Sequence, residues 1–145
     1  MFANLLRRLT MPEAPLSLLD QRLALAALLI RVARSDGDFA AAEAARIDRI
    51  LARRFGLSPD EALRLRAEAE TLEEEAPDTV RFTRAIKDTV PYEEREAVVE
   101  ALWDVALADG VRDHEEDGLM RLVSSLLGIA DRDSALARQR VEARR

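Results

Sequence analysis

The apolar run LALAALLI, residues 23–30, constrains the fold of this chain more than any other feature of the sequence. It lies between Arg22 and Arg31 and falls well short of the roughly 20 apolar residues that span a bilayer. A helix that is apolar on nearly every side must be surrounded by other helices. The sequence therefore predicts a central core helix over about residues 16–35 of a helical bundle, and no direct membrane span.

The rest of the chain carries the same helical signal. Apolar residues recur at spacings of three and four, and the 145 residues include only five glycines and five prolines. A chain of this length fits one domain with a substantial core. We predict an all-α, single-domain bundle of about seven helices over residues 16–145. An N-terminal amphipathic segment and linker precede it at residues 1–15, with Pro12 and Pro15 in the linker.

Several local motifs predict where helices begin and end. Ser58-Pro59-Asp60-Glu61 combines an N-cap serine, a proline at the first helical position and the glutamate of a capping box. Gly56 and Gly128 are placed to end helices. A second helix is predicted over about residues 40–55. A fourth follows Pro77-Asp78, a fifth begins at Pro91, and a sixth ends at Gly128. A seventh covers about residues 133–144.

The chain also contains an internal repeat. Each of two apolar helices runs into an Asp-Gly pair, Asp36-Gly37 and Asp109-Gly110, and these pairs are 73 positions apart. The glycines that follow the next helices, Gly56 and Gly128, are 72 apart, so the second copy is one residue shorter. This register predicts two pseudo-repeated halves.

Each Asp-Gly pair opens an acidic turn in which a glutamate follows the aspartate by seven positions. The aspartate lies where one helix ends and the glutamate in the first turns of the next, so chain reversal brings the two carboxylates towards each other. Such oxygen ligands suit Ca²⁺ or Mg²⁺. The candidate metal ligands are Asp36, Asp38, Glu43, Asp109, Asp113 and Glu116, and the more acidic second copy is expected to be the stronger site.

A structural interpretation of the same acids stays open. Carboxylates near a helix N-terminus cap free backbone N–H groups and are favoured by the helix dipole, so they need no metal. Glu73, Glu74 and Glu75 are harder to explain because they crowd a helix C-terminus, where the dipole disfavours them. Solvent or arginines of a neighbouring helix could compensate, and the functional alternative is an acidic surface for a cation or a basic partner. The arginines on the second and last helices are expected to be solvated.

Composition narrows the function classes. The net charge of −6 and a pI near 5.0 argue against nucleic-acid binding. The absence of cysteine rules out disulfides and thiolate chemistry and is compatible with a reducing compartment, with the cytoplasm as the default. No Gly-rich phosphate loop or nucleophile elbow occurs, so the sequence predicts a protein that is not an enzyme.

Two segments, RVARSDGDFAAAEAARIDRILARRFGLS and ALWDVALADGVRDHEEDGLMRLVSSLLGIA, resemble the tellurite-resistance protein B (TerB) family. The resemblance covers roughly residues 23–130 and implies two helical halves, each with an apolar helix, an Asp-Gly turn and a downstream glutamate. The family is linked to tellurite and other stress resistance and is proposed to bind metal through clustered acids. Carried over, those acids are Asp36, Glu43, Asp109 and Glu116.

The resemblance implies a non-enzymatic module that acts in the tellurite or metal stress response through a partner protein. A membrane protein is one candidate partner, which would place the chain in the cytoplasm or peripherally at the inner membrane face. The alternative from a different class is a helical protein–protein interaction scaffold in which the acidic residues serve only as helix caps. The sequence leaves the oligomeric state open.

Overall fold

The computed structural model describes residues 18–35, 39, 41–75, 79–107 and 114–144; for residues 18–20 and 114–117 it describes the backbone alone. These residues form seven α-helices and no strand, which confirms the predicted all-α fold. The helices are α1 Leu18–Arg34, α2 Ala41–Phe55, α3 Pro59–Glu75, α4 Thr79–Thr89, α5 Tyr92–Ala106, α6 His114–Leu126 and α7 Asp131–Ala143. The N-terminal segment and linker predicted over residues 1–15 lie outside the described residues.

The helix α1 is the centre of the bundle. Every residue from Leu23 to Ile30 is at most 3% exposed, and α1 packs against α2, α3, α4, α5 and α6. This confirms the interpretation of the apolar run as a helix enclosed by other helices. No helix in the described part of the chain is long and apolar enough to cross a membrane.

The start of α3 has the predicted capping box. The backbone N–H of Glu61 donates to Ser58 Oγ over 3.1 Å, and the backbone N–H of Ser58 donates to Glu61 Oε1 over 2.9 Å. These bonds lower the pKa of Glu61, with the bond from the Ser58 backbone contributing most. Two backbone donors that the helix itself leaves unpaired are therefore satisfied by side chains.

The two predicted glycine stops are also present. Gly56 and Gly128 have φ values of 64° and 77°, the left-handed conformation that a helix C-terminus commonly needs. The N–H of Leu57 bonds back to Ala52 O, and the N–H of Ile129 bonds back to Ser124 O at 2.8 Å. Both α2 and α6 therefore end in the same glycine-dependent turn.

The two glycines differ in their surroundings, which gives a matched pair of substitutions. A Cβ at Gly56 would meet no atom within 4 Å, whereas at Gly128 it would lie 3.2 Å from Arg95 Nη1. That guanidinium donates to Leu127 O over 2.8 Å. We expect Gly56→Ala to lower the free energy of unfolding by about 1 kcal/mol through backbone strain, and Gly128→Ala by about 1 kcal/mol more through displacement of Arg95.

Urea denaturation of the two variants and the parent protein measures both values. Adding Arg95→Ala to each variant is the control. In the Arg95→Ala background the two glycine substitutions are expected to destabilise equally. Equal effects of the two substitutions in the parent background would contradict the assigned role of Arg95.

The pseudo-repeat is visible in the packing. In the first half α3 packs extensively on α1, and in the second half α7 packs extensively on α5, while α4 joins the halves and contacts α1, α5 and α6. An i,i+4 ion pair recurs at the matching place in the last helix of each half. Arg66 pairs with Glu70 at 2.6 Å, and Arg138 pairs with Glu142 at 3.1 Å, 72 positions later. The repeat therefore extends beyond the acidic turns.

One buried polar cluster distinguishes the second half. Trp103 Nε1 donates to Ser134 Oγ over 3.1 Å, and Ser134 Oγ lies 3.1 Å from the Oγ of the fully buried Ser124. The position that matches Ser134 in the first half is the buried Ala62. Trp103 and Phe82 are both core residues, at 6% and 0% exposure, as predicted.

Candidate functional site

The structure describes only part of the predicted cation site. Glu43 is described in full, and Glu116 lies in α6 with its side chain outside the described residues. The other candidate ligands also lie outside the described residues: Asp36, Asp38, Asp109 and Asp113. The ligand set therefore stays a prediction, and the described elements show only what flanks each turn.

The two acidic turns connect equivalent helices. The first lies between the end of α1 at Arg34 and the start of α2 at Ala41, and the second between the end of α5 at Ala106 and the start of α6 at His114. Glu43 is the third residue of α2, and Glu116 is the third residue of α6. The backbone thus places the two glutamates at the same helical position in the two halves.

Glu43 is buried, although a glutamate that served only the helix dipole could remain in water. Its exposure is 6%, beside Ile47 and Leu51, which are fully buried on the same helix. Burial of a carboxylate is unfavourable unless a cation or hydrogen-bond donors compensate for the lost water. Within the described residues no group of three or more His, Asp or Glu side chains could hold a metal ion. A metal site at Glu43 with three or more such ligands therefore needs ligands from outside the described residues.

A charge network ties the last turn of α1 to the last turn of α3. Glu73 accepts from Arg31 Nε over 3.0 Å and from Arg34 Nη1 over 2.5 Å, and Glu73 and Arg31 are 12% and 13% exposed. Arg31 Nη1 also donates to Thr79 Oγ1 over 2.9 Å. Arginines of a neighbouring helix therefore compensate for the acidic C-terminus of α3, one of the possibilities that the sequence left open.

Arg34 connects this network to the first acidic turn. It is the last residue of α1, and its guanidinium carbon lies 5.4 Å from the centre of the Phe39 ring. Phe39 is partly buried and packs against the core. Cation–π contact of this kind stabilises by about 0.5–1 kcal/mol at exposed sites. The turn is thus flanked on one side by a residue fixed to α3 and on the other by the buried Glu43.

A second charge cluster lies where α2, α5 and α7 meet. Glu100 accepts from Arg140 Nε over 3.0 Å and from Arg144 Nη1 over 2.9 Å, and Asp104 pairs with Arg46 at 3.4 Å. Arg46, Arg140 and Arg144 therefore pair with acids of another helix, while Arg140 and Arg144 stay about half exposed, so the expectation of solvated arginines holds only in part. A groove of about 480 Å³ runs along the cluster. This α2–α5–α7 groove is lined by Ile50, Arg53, Arg54, Ala97, Glu100, Ala101, Asp104 and Arg144.

The pKa of Glu100 gives a test of this cluster. Burial raises it, but the bonds from Arg144 and Arg140 outweigh burial and lower it below its ordinary value of 4.5. The stability that the Glu100 carboxylate contributes to the folded state is therefore complete above about pH 4.5. It is lost as the pH falls through the lower pKa that Glu100 has in the folded protein. We expect Glu100→Gln to reduce the free energy of unfolding at pH 7 by less than about 1 kcal/mol, since both arginines are half exposed.

The measurement is urea denaturation of parent and variant between neutral and acid pH, where the difference is expected to shrink to zero. Glu68→Gln, which changes an exposed acid in the middle of α3, is the control and is expected to change the free energy of unfolding less than Glu100→Gln does. A difference for Glu100→Gln that stayed constant down to acid pH would contradict the assignment.

Comparison with known proteins agrees with the resemblance seen in the sequence. The family model described as Tellurite resistance protein TerB matches residues 22–139, well over half of the chain. No curated protein and no solved structure matches this chain significantly. The family is in general one of non-enzymatic helical domains. With its two helical halves and their equivalent turns, the chain belongs to the TerB family.

Proposed function

We propose that this TerB-family protein is a non-enzymatic module that binds a divalent cation at its acidic turns. The observation that carries the proposal is the burial of Glu43, at 6% exposure, beside a turn that contains Asp36 and Asp38. Carboxylates that lie within seven positions of one another in the sequence can supply the oxygen ligands of a hard cation. In the second half Glu116 has the same helical position and is accompanied by Asp109 and Asp113.

The chemistry of the donors selects the cation. All candidate ligands supply carboxylate oxygens, and hard cations such as Ca²⁺ and Mg²⁺ prefer oxygen ligands. Asp36, Asp38 and Glu43 would hold the ion in the first half, and Asp109, Asp113 and Glu116 in the second. A bound cation would neutralise these carboxylates and join the end of one helix to the start of the next.

The biological role we propose is in the tellurite or metal stress response, through a partner protein. The family description supports the link to tellurite resistance. Cation binding at the first turn would be relayed through the elements that flank it, because Arg34 joins that turn to Glu73 of α3. A surface on α3 or α4 could then differ between the cation-free and cation-bound forms, and a partner could distinguish them.

Calorimetric titration of metal-stripped protein with Ca²⁺, Mg²⁺ and Zn²⁺ tests the proposal. We expect saturable binding of Ca²⁺ or Mg²⁺ that the double variant Asp109→Ala, Glu116→Ala weakens strongly, and a cation-dependent rise in melting temperature. The matched control is Asp60→Ala, Asp131→Ala, which removes two exposed acids from the first turns of α3 and α7. Glu43→Gln, which keeps the size of the side chain, tests the first half.

The alternative function, a helical interaction scaffold, is favoured by one observation. At the start of α3 the acidic residue Glu61 bonds the backbone N–H of Ser58, so an acid of this chain acts as a cap without any metal. If the acidic turns work in the same way, no cation will release heat or raise the melting temperature. The double variant would then lose only about 1 kcal/mol of stability per cap.

A further inference from the structure

The α2–α5–α7 groove is an open surface concavity large enough for a short stretch of a ligand. Its volume of about 480 Å³ lies within the range of sites that hold small molecules or peptide side chains. Ile50, Ala97 and Ala101 supply apolar surface, and Ile50 and Ala101 belong to or pack against the core. The pair between Arg46 and Asp104 joins α2 to α5, and the pairs of Glu100 with Arg140 and Arg144 join α5 to the C-terminal end of the chain.

The charges around the groove are not balanced within it. Glu100 is already bonded to Arg140 and Arg144, and Asp104 to Arg46. Among the described residues Arg53 and Arg54 form no salt bridge, and Glu94 acts on Arg54 only through its charge. In a chain of net charge −6, these two neighbouring guanidinium groups therefore form a local positive site at the edge of an apolar groove.

Arg54 is also partly removed from water. Burial lowers the pKa of its guanidinium, and the negative charge of Glu94 raises it by a smaller amount. A guanidinium that has already lost part of its hydration loses less on binding, and it forms strong paired hydrogen bonds with a carboxylate. Arg53 is exposed on the same helix and is free to rotate towards the same ligand.

We propose that the α2–α5–α7 groove binds an acidic peptide segment of a partner protein. Its carboxylates would pair with Arg53 and Arg54, while an apolar side chain would fill the groove against Ile50 and Ala101. A peptide can space its carboxylates to avoid Glu100 and Asp104, whereas the continuous negative surface of a membrane or nucleic acid cannot. This identifies a surface for the partner interaction in the proposed function and does not require cation binding.

The experiment measures fluorescence anisotropy of a labelled peptide with the repeat Glu-Glu-Leu, in EDTA so that the result is independent of the acidic turns. A peptide with the repeat Lys-Lys-Leu is the probe control. The groove variant is Arg53→Glu, Arg54→Glu. The matched control is Arg121→Glu, Arg132→Glu, which makes the same change of net charge at exposed arginines outside the groove.

We expect the Glu-Glu-Leu peptide to bind the parent and the control variant, and the groove variant to bind it at least about tenfold more weakly. A second variant, Ala97→Glu, places a carboxylate at an exposed helical position in the groove and is expected to weaken binding without affecting folding. Circular dichroism and melting temperature establish that each variant is folded.

Three outcomes would overturn the proposal. The first is no binding of the Glu-Glu-Leu peptide to the parent protein, and the second is equal weakening in the groove and control variants. The third is sedimentation with phosphatidylserine vesicles that depends on Arg53 and Arg54 while peptide binding does not. That result would assign the same arginines to a lipid surface.

Discussion

Replacing Leu28 by alanine is expected to lower the free energy of unfolding by about 3 kcal/mol, within the range of about 2–5 kcal/mol found for fully buried leucines. Leu28 is 0% exposed on α1, which α2, α3, α4, α5 and α6 surround. Because these helices hold one another in place, they cannot move inwards to fill the space. The destabilisation therefore includes a cavity term in addition to the lost burial of the side chain.

Leu122→Ala is the matched control for this substitution. Leu122 also lies in a helix, α6, but it is 50% exposed, so the same chemical change is expected to alter stability by less than about 1 kcal/mol. Urea denaturation with an unchanged m-value gives both numbers. An effect of Leu28→Ala as small as that of Leu122→Ala would contradict the central position of α1.

Replacing Glu73 by alanine is expected to have the next largest effect, a loss of about 2–3 kcal/mol. Glu73 bonds Arg31 and Arg34 with its two carboxylate oxygens and is 12% exposed. Its removal takes a carboxylate from two partly buried guanidinium groups, while the bond from Arg31 Nη2 to the backbone O of residue 73 and the pair between Arg34 and Glu70 remain. The cost of removing one partner exceeds the net stability of an exposed pair because the remaining charges stay desolvated.

Glu74→Ala serves as the control for Glu73→Ala. Glu74 is the next residue and also contacts Arg34, but at 3.4 Å and with 64% of its side chain exposed. We expect its replacement to change stability by less than about 0.5 kcal/mol. Thermal denaturation at low and high salt separates the two cases, since screening weakens the exposed contact more than the buried one. Similar losses for both variants would contradict the specific role of Glu73.

The fold could be predicted from the sequence because its signals are local. The capping box at Ser58 and the glycine at position 56 each act within one turn of helix, and the structure places them as predicted. The run at residues 23–30 predicts burial because no side of that helix is polar. The helical periodicity of apolar residues predicted burial less well at the surface, since Leu122 continues the apolar pattern of α6 yet is half exposed.

The charge clusters could not be assigned from the sequence because they join residues far apart in the chain. Glu73 is followed by two further glutamates, and only the packing of α1 on α3 shows that Arg31 and Arg34 neutralise it. The α2–α5–α7 groove likewise combines Arg54 with Arg144. For the cation site, the structure gives the helical position of Glu43 and Glu116, and all six ligands stay a prediction.

The matching helices α1 and α5 differ in how far the rest of the bundle encloses them, and this difference determines where substitutions can be tolerated. Helix α1 is enclosed on all sides, so a saturating mutational scan is expected to tolerate few substitutions over residues 23–30. Its counterpart in the second half, α5, leaves Glu93, Glu94 and Ala97 exposed. This exposed face of α5 can accept new side chains without loss of the core. Diversification of partner recognition within this architecture is therefore expected on α5, while α1 preserves the fold.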